Sequence, residues 1–285
     1  VEHNQPGLYK NTDTTIPALP PRSILYSIEP IGIGTPYVES LASYINRLAV
    51  EHSISVADLF AKIIMVRYGN EFFSRKDIHG YLWKMLGAIN NVSETNANIV
   101  RIMSELTARS DLKHLTLACL EDLNTNSVFS KIKRYCPKCY EEWKTIGSTI
   151  YDPLIWNFNL IKICPIHKIY LIDKCTNENC AGNFTILKSY SMPGYCPHCH
   201  QWLGFQPTDT IDNITIEAQK WIIKQLCDLV IEIPVLSETD IHTNIRKALK
   251  CILEVYGEGT VTSTGFLKSV PYRAILETKY NLRIC

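Results

Sequence analysis

The feature that most constrains this chain is a run of metal-ligand side chains near its middle. Of its eleven cysteines, seven lie between Cys136 and Cys199. They read Cys136-Pro-Lys-Cys139, Cys164-Pro-Ile-His167, Cys175-x4-Cys180 and Cys196-Pro-His-Cys199. A gap of two residues lets a tight turn aim both side chains at one point, and proline inside the gap fixes φ and presets that turn. Eight donors in four pairs fit two tetrahedral Zn²⁺ ions with none left over. Free core thiols would explain neither the recurring Cys-Pro-x-ligand unit nor the histidine at position 167.

The pairing has two readings. Taken in order along the chain, Cys136, Cys139, Cys164 and His167 hold the first ion, and Cys175, Cys180, Cys196 and Cys199 hold the second. A cross-brace, as in RING domains, would pair Cys136 and Cys139 with Cys175 and Cys180. The ligand order suits a RING, but the seven residues between His167 and Cys175 are more than a RING has there, which favours the sequential scheme. Either way each site has four protein donors and no open position, so the metals are expected to be structural. The zinc-deaminase pattern and His-Glu-x-x-His are both missing, and no enzyme is expected. His198 and His200 flank Cys199 and are expected on the exposed knuckle. Cys119, Cys227 and Cys251 fall in apolar helical patterns and read as small core residues. Cys285 has no assigned role.

Around this centre the pattern is helical, and the expected class is α+β, mainly α. Three modules are expected: a helix-turn-helix-like helical domain over 1–130, two tandem zinc ribbons over 131–205, and a helical module over 206–285. Residues 1–30 are proline-rich and extended, an arm on a partner or a loose terminus. Leu41, Ile45, Leu48 and Ala49 mark a first helix. A second starts at the cap Ser55, with Asp58 three places on and Val56, Leu59, Phe60, Ile63 and Ile64 on its apolar face. Further helices are expected at 94–108, at 112–123, at 214–231 and at 238–256, with one more within 263–280. Tyr151, Trp156 and Phe158 give 150–160 the composition of a strand or of packing on a small core.

Charge narrows the function. The chain holds 29 basic and 28 acidic residues, so bulk coating of nucleic acid is excluded. Local positive charge gathers at Lys131, Lys133, Arg134 and Lys138, a candidate contact for phosphate or for an acidic protein face, or else a solvated basic turn. No stretch is long and apolar enough for a membrane span. The opening residues lack a leader pattern. The chain starts at Val1, so it is expected to be trimmed, and the cytosol, where thiols stay reduced, is the expected compartment.

At these residues the chain resembles the TniQ family. Glu39-Ser40-Leu41-Ala42-Ser43-Tyr44-Ile45-Asn46-Arg47-Leu48-Ala49 is similar to the family's opening helix, and Arg134-Tyr135-Cys136-Pro137-Lys138-Cys139 to its first knuckle. Trp156, Ile163-Cys164-Pro165-Ile166-His167, Leu171, Cys175, Cys180, Cys196-Pro197-His198-Cys199 and Trp202-Leu203 come after them in the family's order. The resemblance spans 30–205; the x4 gap from Cys175 to Cys180 is looser than a standard two-residue knuckle, and 206–285 carry no recognised motif. It implies a prokaryotic targeting adaptor for DNA transposition, coupling a target reader to an AAA+ ATPase of the TnsC type. The reader would be a CRISPR effector with its guide RNA, on which the chain would sit singly or as a homodimer. A TnsD-like protein that reads target DNA itself is the alternative within the family, and a stand-alone transcription factor using the helix pair at 38–67 the alternative outside it. A RING-like ligase or a metal hydrolase would need a cross-brace or a water on zinc.

Overall fold

The computed structural model describes residues 22–72, 89–90, 94–116, 129–175, 177–180, 184–204, 211, 213–232 and 234. The expected helices at 238–256 and 263–280, the proline-rich lead-in before 22, and Cys119, Cys251 and Cys285 lie outside them.

Helix α1 spans Leu41–Glu51. Ser40 caps it in an extended conformation and accepts a hydrogen bond from the Ser43 N–H, which satisfies a first-turn donor that no carbonyl can reach. Its C-terminus closes through Ser53, at φ 54°, with the Ile54 N–H donating back to the Ala49 carbonyl. That bond across the αL residue ends the helix and turns the chain sharply. The next helix, α2, runs over 56–72. It is α-helical at Val56–Asp58, widens to π-helical at Leu59–Ile64 and returns to α at Met65–Phe72. Ser55 caps it through Asp58, as its sequence signature predicts. Leu59, Phe60 and Ile64 are buried while Ile63 is half-buried.

Helix α3 spans Glu94–Thr107 and buries Ile99, Val100, Ile102, Met103 and Leu106. The helix expected from 112 is a single 3₁₀ turn at Leu112–Leu115, and the rest of that expected helix, from 117 on, lies outside the described residues. Helix α4 spans Pro137–Thr145 and α5 spans Asn213–Glu232.

The fold is mostly helical, and among the described residues there is no strand. The expected ribbons are replaced by isolated antiparallel bridges, such as Tyr135 with Ile172, Ile163 with Tyr170 and Tyr195 with Trp202. Two local causes act. The first Cys-Pro-x-Cys unit opens helix α4 instead of a hairpin, since Pro137 sits at the one helical position where a missing N–H costs nothing. Residues 154–157 form a 3₁₀ turn, and the carbonyls of Trp156, Phe158 and Ile161 accept from the Arg134 guanidinium. Those carbonyls have no need of a neighbouring strand.

A single buried core runs from α1 and α3 through the knuckles to α5, continuous across residue 130. A polar seam crosses it from Glu39 and Arg47 to Asp152. The Glu39 carboxylate, fully buried, accepts from Arg47 Nε and Nη2 at 2.8 and 2.7 Å and from Ser43 Oγ at 2.8 Å. Burial pushes the Glu39 carboxyl up, partly offset by Arg47. Ser43 Oγ in turn accepts the Asp152 N–H at 2.9 Å, and the Asp152 carbonyl accepts the Ser40 N–H at 3.0 Å. The Asp152 carboxylate takes Lys133 Nζ at 2.7 Å and the Tyr140 hydroxyl. Burial beside that carboxylate keeps the tyrosine protonated and therefore a donor. One aspartate thus joins α1 to the metal-ligand segment.

Replacing Asp152 by Ala strands the buried Lys133 ammonium. The expected loss is about 3–5 kcal/mol of unfolding free energy, measured by urea denaturation of the zinc-loaded chain.

Candidate metal centres

The structure groups the eight donors sequentially. Cys136, Cys139, Cys164 and His167 form one set, and Cys175, Cys180, Cys196 and Cys199 the other; within each, all donor atoms lie within 4.8 Å of one another. In the first, Cys139 Sγ is 3.6 Å from Cys164 Sγ, and His167 Nδ1 is 3.5, 3.3 and 3.8 Å from the sulfurs of Cys136, Cys139 and Cys164. In the second, Cys175 to Cys199 and Cys180 to Cys196 are both 3.7 Å. A tetrahedron with zinc–sulfur bonds of about 2.3 Å has edges of about 3.8 Å, and a sulfur–nitrogen edge of about 3.6 Å. Both donor sets fit that figure, and the cross-braced grouping is not formed.

Two of the Cys-Pro-x-ligand units make the same small hairpin. In Cys164–His167 the Lys168 N–H donates to the Cys164 carbonyl, Lys168 is at φ 53°, and the Cys164 N–H donates to Ile169. In Cys196–Cys199 the His200 N–H donates to the Cys196 carbonyl, His200 is at φ 58°, and the Cys196 N–H donates to Gln201. Each turn also aims a backbone N–H at sulfur: His167 N to Cys164 Sγ and His198 N to Cys196 Sγ, both 3.4 Å. Such bonds favour the thiolate, the form that binds metal. His198 and His200 are exposed on the second turn, and Cys227 is half-buried on α5.

The electrostatics ask for a cation. Hydrogen bonds from Cys136 and Cys139 hold the Cys164 thiol down to about 2, while hydrogen bonding to Cys136 and Cys164, with burial, pushes Cys139 far up. The first sulfur ionises readily and the rest resist, because thiolates at this separation repel. A divalent ion removes that repulsion, and loading releases protons. His167 presents Nδ1 to the sulfurs and places Nε2 2.7 Å from Glu142 Oε1 on α4. A carboxylate on the far nitrogen fixes the tautomer that leaves Nδ1 free to bind metal. Sequence reading missed Glu142; its signal was a carboxylate three residues past Cys139.

The basic cluster divides in two. Lys131 and Lys138 are exposed, but Lys133 and Arg134 are buried. Lys133 is held by Asp152, and Arg134 donates to the carbonyls of Trp156, Phe158 and Ile161. Burial pulls the Arg134 guanidinium down to about 10, still charged at neutral pH. These two cations hold the fold and offer nothing to phosphate; the neutralising partner, Asp152, is too distant in sequence for charge counting to reveal.

Accordingly, Arg134→Ala costs about 3 kcal/mol by orphaning buried carbonyls, whereas Lys131→Ala with Lys138→Ala shifts the denaturation midpoint within error. The first donor set is buried on three of its four residues, while Cys199 in the second is exposed. A chelator is therefore expected to strip the second centre first, and Cys196→Ser to lower tightly held zinc from two to one per chain by elemental analysis.

Among curated proteins, none matches this chain. A family model described as TniQ matches residues 30–171, from before α1 through the Cys164–His167 hairpin. The seam from Glu39 to Asp152 and the whole first donor set lie inside that match, and the chain belongs to the TniQ family.

Proposed function

We propose that this chain is a non-catalytic adaptor in DNA transposition, holding a target-site reader and a TnsC-type AAA+ ATPase at a fixed separation. Family membership implies a role in choosing transposition targets, in a family that is an accessory to the reaction and not its catalyst. The observation that carries the adaptor reading is that both donor sets are complete with four protein ligands. When bound, zinc in such a closed site supplies folding energy and no activated water. Cys136, Cys139, Cys164 and His167 would hold one ion and Cys175, Cys180, Cys196 and Cys199 the other. A bracket stiffened in this way makes a weak ATPase contact effectively intramolecular once the reader is engaged.

The proposed reader is an RNA-guided CRISPR effector, with the chain acting singly or as a homodimer. A TnsD-like mode, in which the chain reads target DNA itself through additional helical domains, would need surface cations. The internal use of Lys133 and Arg134 leaves only Lys131 and Lys138 of the basic cluster on the surface, which supports the adaptor over the direct reader. Among the described residues no helix is long and apolar enough to cross a membrane.

The test is biolayer interferometry of the zinc-loaded chain against the ATPase and effector encoded beside it, and against target duplex. Binding to both proteins, with DNA retained only weakly and with a shallow salt slope, is the expected result. Tight sequence-specific duplex binding by the chain alone would favour the TnsD-like mode instead.

A further inference from the structure

We propose that α4 couples the two metal centres, so that filling the first strengthens the second. The coupling runs through neighbouring side chains of one short helix. Its N-terminus is built from the first centre: Cys136 is the residue before the helix and Cys139 lies in its first turn. Cys136 makes no side-chain capping hydrogen bond. Nine residues are too few for a helix to persist in water on its own, so the helix depends on what clamps its ends. On the first side that clamp is the donor set itself, with Glu142 held on His167 Nε2 at 2.7 Å.

On the other side α4 holds the second knuckle by Trp202. The Trp202 indole N–H donates to Glu141 Oε2 at 2.8 Å, and Lys144 Nζ lies 4.6 Å from the indole centroid. Trp202 is bridged to Tyr195, beside Cys196, and the Leu203 N–H closes the hairpin on the Gly194 carbonyl at 2.9 Å. The indole lies so close over the backbone that a Cβ on Gly194 would meet it at 2.3 Å, and one on Gly204 at 2.4 Å. Trp202 therefore fixes the two arms of the hairpin that aims Cys196 and Cys199, and Glu141 fixes Trp202. When the first centre is empty, α4 loses its N-terminal clamp, Glu141 and Lys144 lose their position, and the second hairpin opens more readily. The route is asymmetric in structure, since α4 carries a donor of the first set and none of the second, although the coupling free energy is shared by both sites. Glu141 is accordingly a positioning residue for the second centre, and it touches none of that centre's donors.

The experiment uses the zinc-loaded full chain, with release into a chromophoric chelator followed in time and ions counted by native mass spectrometry. The parent is expected to release in two phases, the fast one from the second centre. Glu141→Ala leaves the first donor set intact; it is expected to speed the fast phase about tenfold, the low end of what loss of an outer-shell partner costs a metal site. The slow phase and the helical circular dichroism should not change. Cys139→Ser is expected to lose the first ion and to speed release of the remaining one at least as much. Cys196→Ser is expected to keep one ion at the parent's slow rate. A fast phase unchanged by both Glu141→Ala and Cys139→Ser would overturn the coupling while leaving both centres in place; Glu141→Ala settles the matter even if Cys139→Ser fails to fold.

Discussion

The structure depends on a convergence of four donors that come from separated pieces of chain. Cys136 and Cys139 start a helix, while Cys164 and His167 close a hairpin, and their donor atoms meet within 4.8 Å. Without a cation this is an unfavourable arrangement of sulfurs; with one it ties a helix to a hairpin at a fixed angle. Local propensity would not achieve this, since α4 is short and the hairpins are single bridges. Small metal-ligand units bury little apolar surface of their own, and an ion held by these donors would supply what the core does not.

That clamp matters beyond its own segment because of what α4 carries. Tyr140, on α4, donates to Asp152, and Asp152 reaches Ser40 and Ser43 on α1. Trp143 stacks on Tyr151 and Trp156, with centroids 4.6 and 5.9 Å apart. On the far side, Gln219 of α5 accepts the Lys162 N–H and donates to the Leu160 carbonyl. Helices α1, α4 and α5 are thus tied to the metal-ligand segment by hydrogen bonds as well as by apolar packing. Buried polar seams of this kind tolerate few alternative packings, because any other arrangement leaves charges unpaired.

Much of this was legible in the sequence, for identifiable reasons. The eight donors announce themselves by spacing, and the cap at Ser55 sits where local hydrogen bonding dictates. The stripes of α3 and α5 have a 3.6-residue period that burial then obeys, whereas α1 is buried almost all round. What was not legible is long-range. Lys133 and Arg134 look like surface charge until Asp152 and three carbonyls are brought to them by folding. Residues 150–160 suit a strand or packing on a small core until 154–157 form a 3₁₀ turn and Arg134 takes the carbonyls of Trp156, Phe158 and Ile161. Helix α4 was hidden because Cys-Pro-Lys-Cys has the composition of a turn, although Pro137 is equally suited to a first helical position. Where a side chain's partner comes from far along the chain, the local pattern carries no record of it.

The central claim is that seven sulfurs and one imidazole nitrogen fully enclose two ions. X-ray absorption at the zinc edge on the purified, fully loaded chain tests it most directly. The predicted result is four-coordinate zinc with a first shell dominated by sulfur, averaging one nitrogen for every seven sulfurs, and outer-shell scattering from a single imidazole. A shell holding one or more oxygen neighbours per ion would contradict it, because an open position would make the bracket a reactive site.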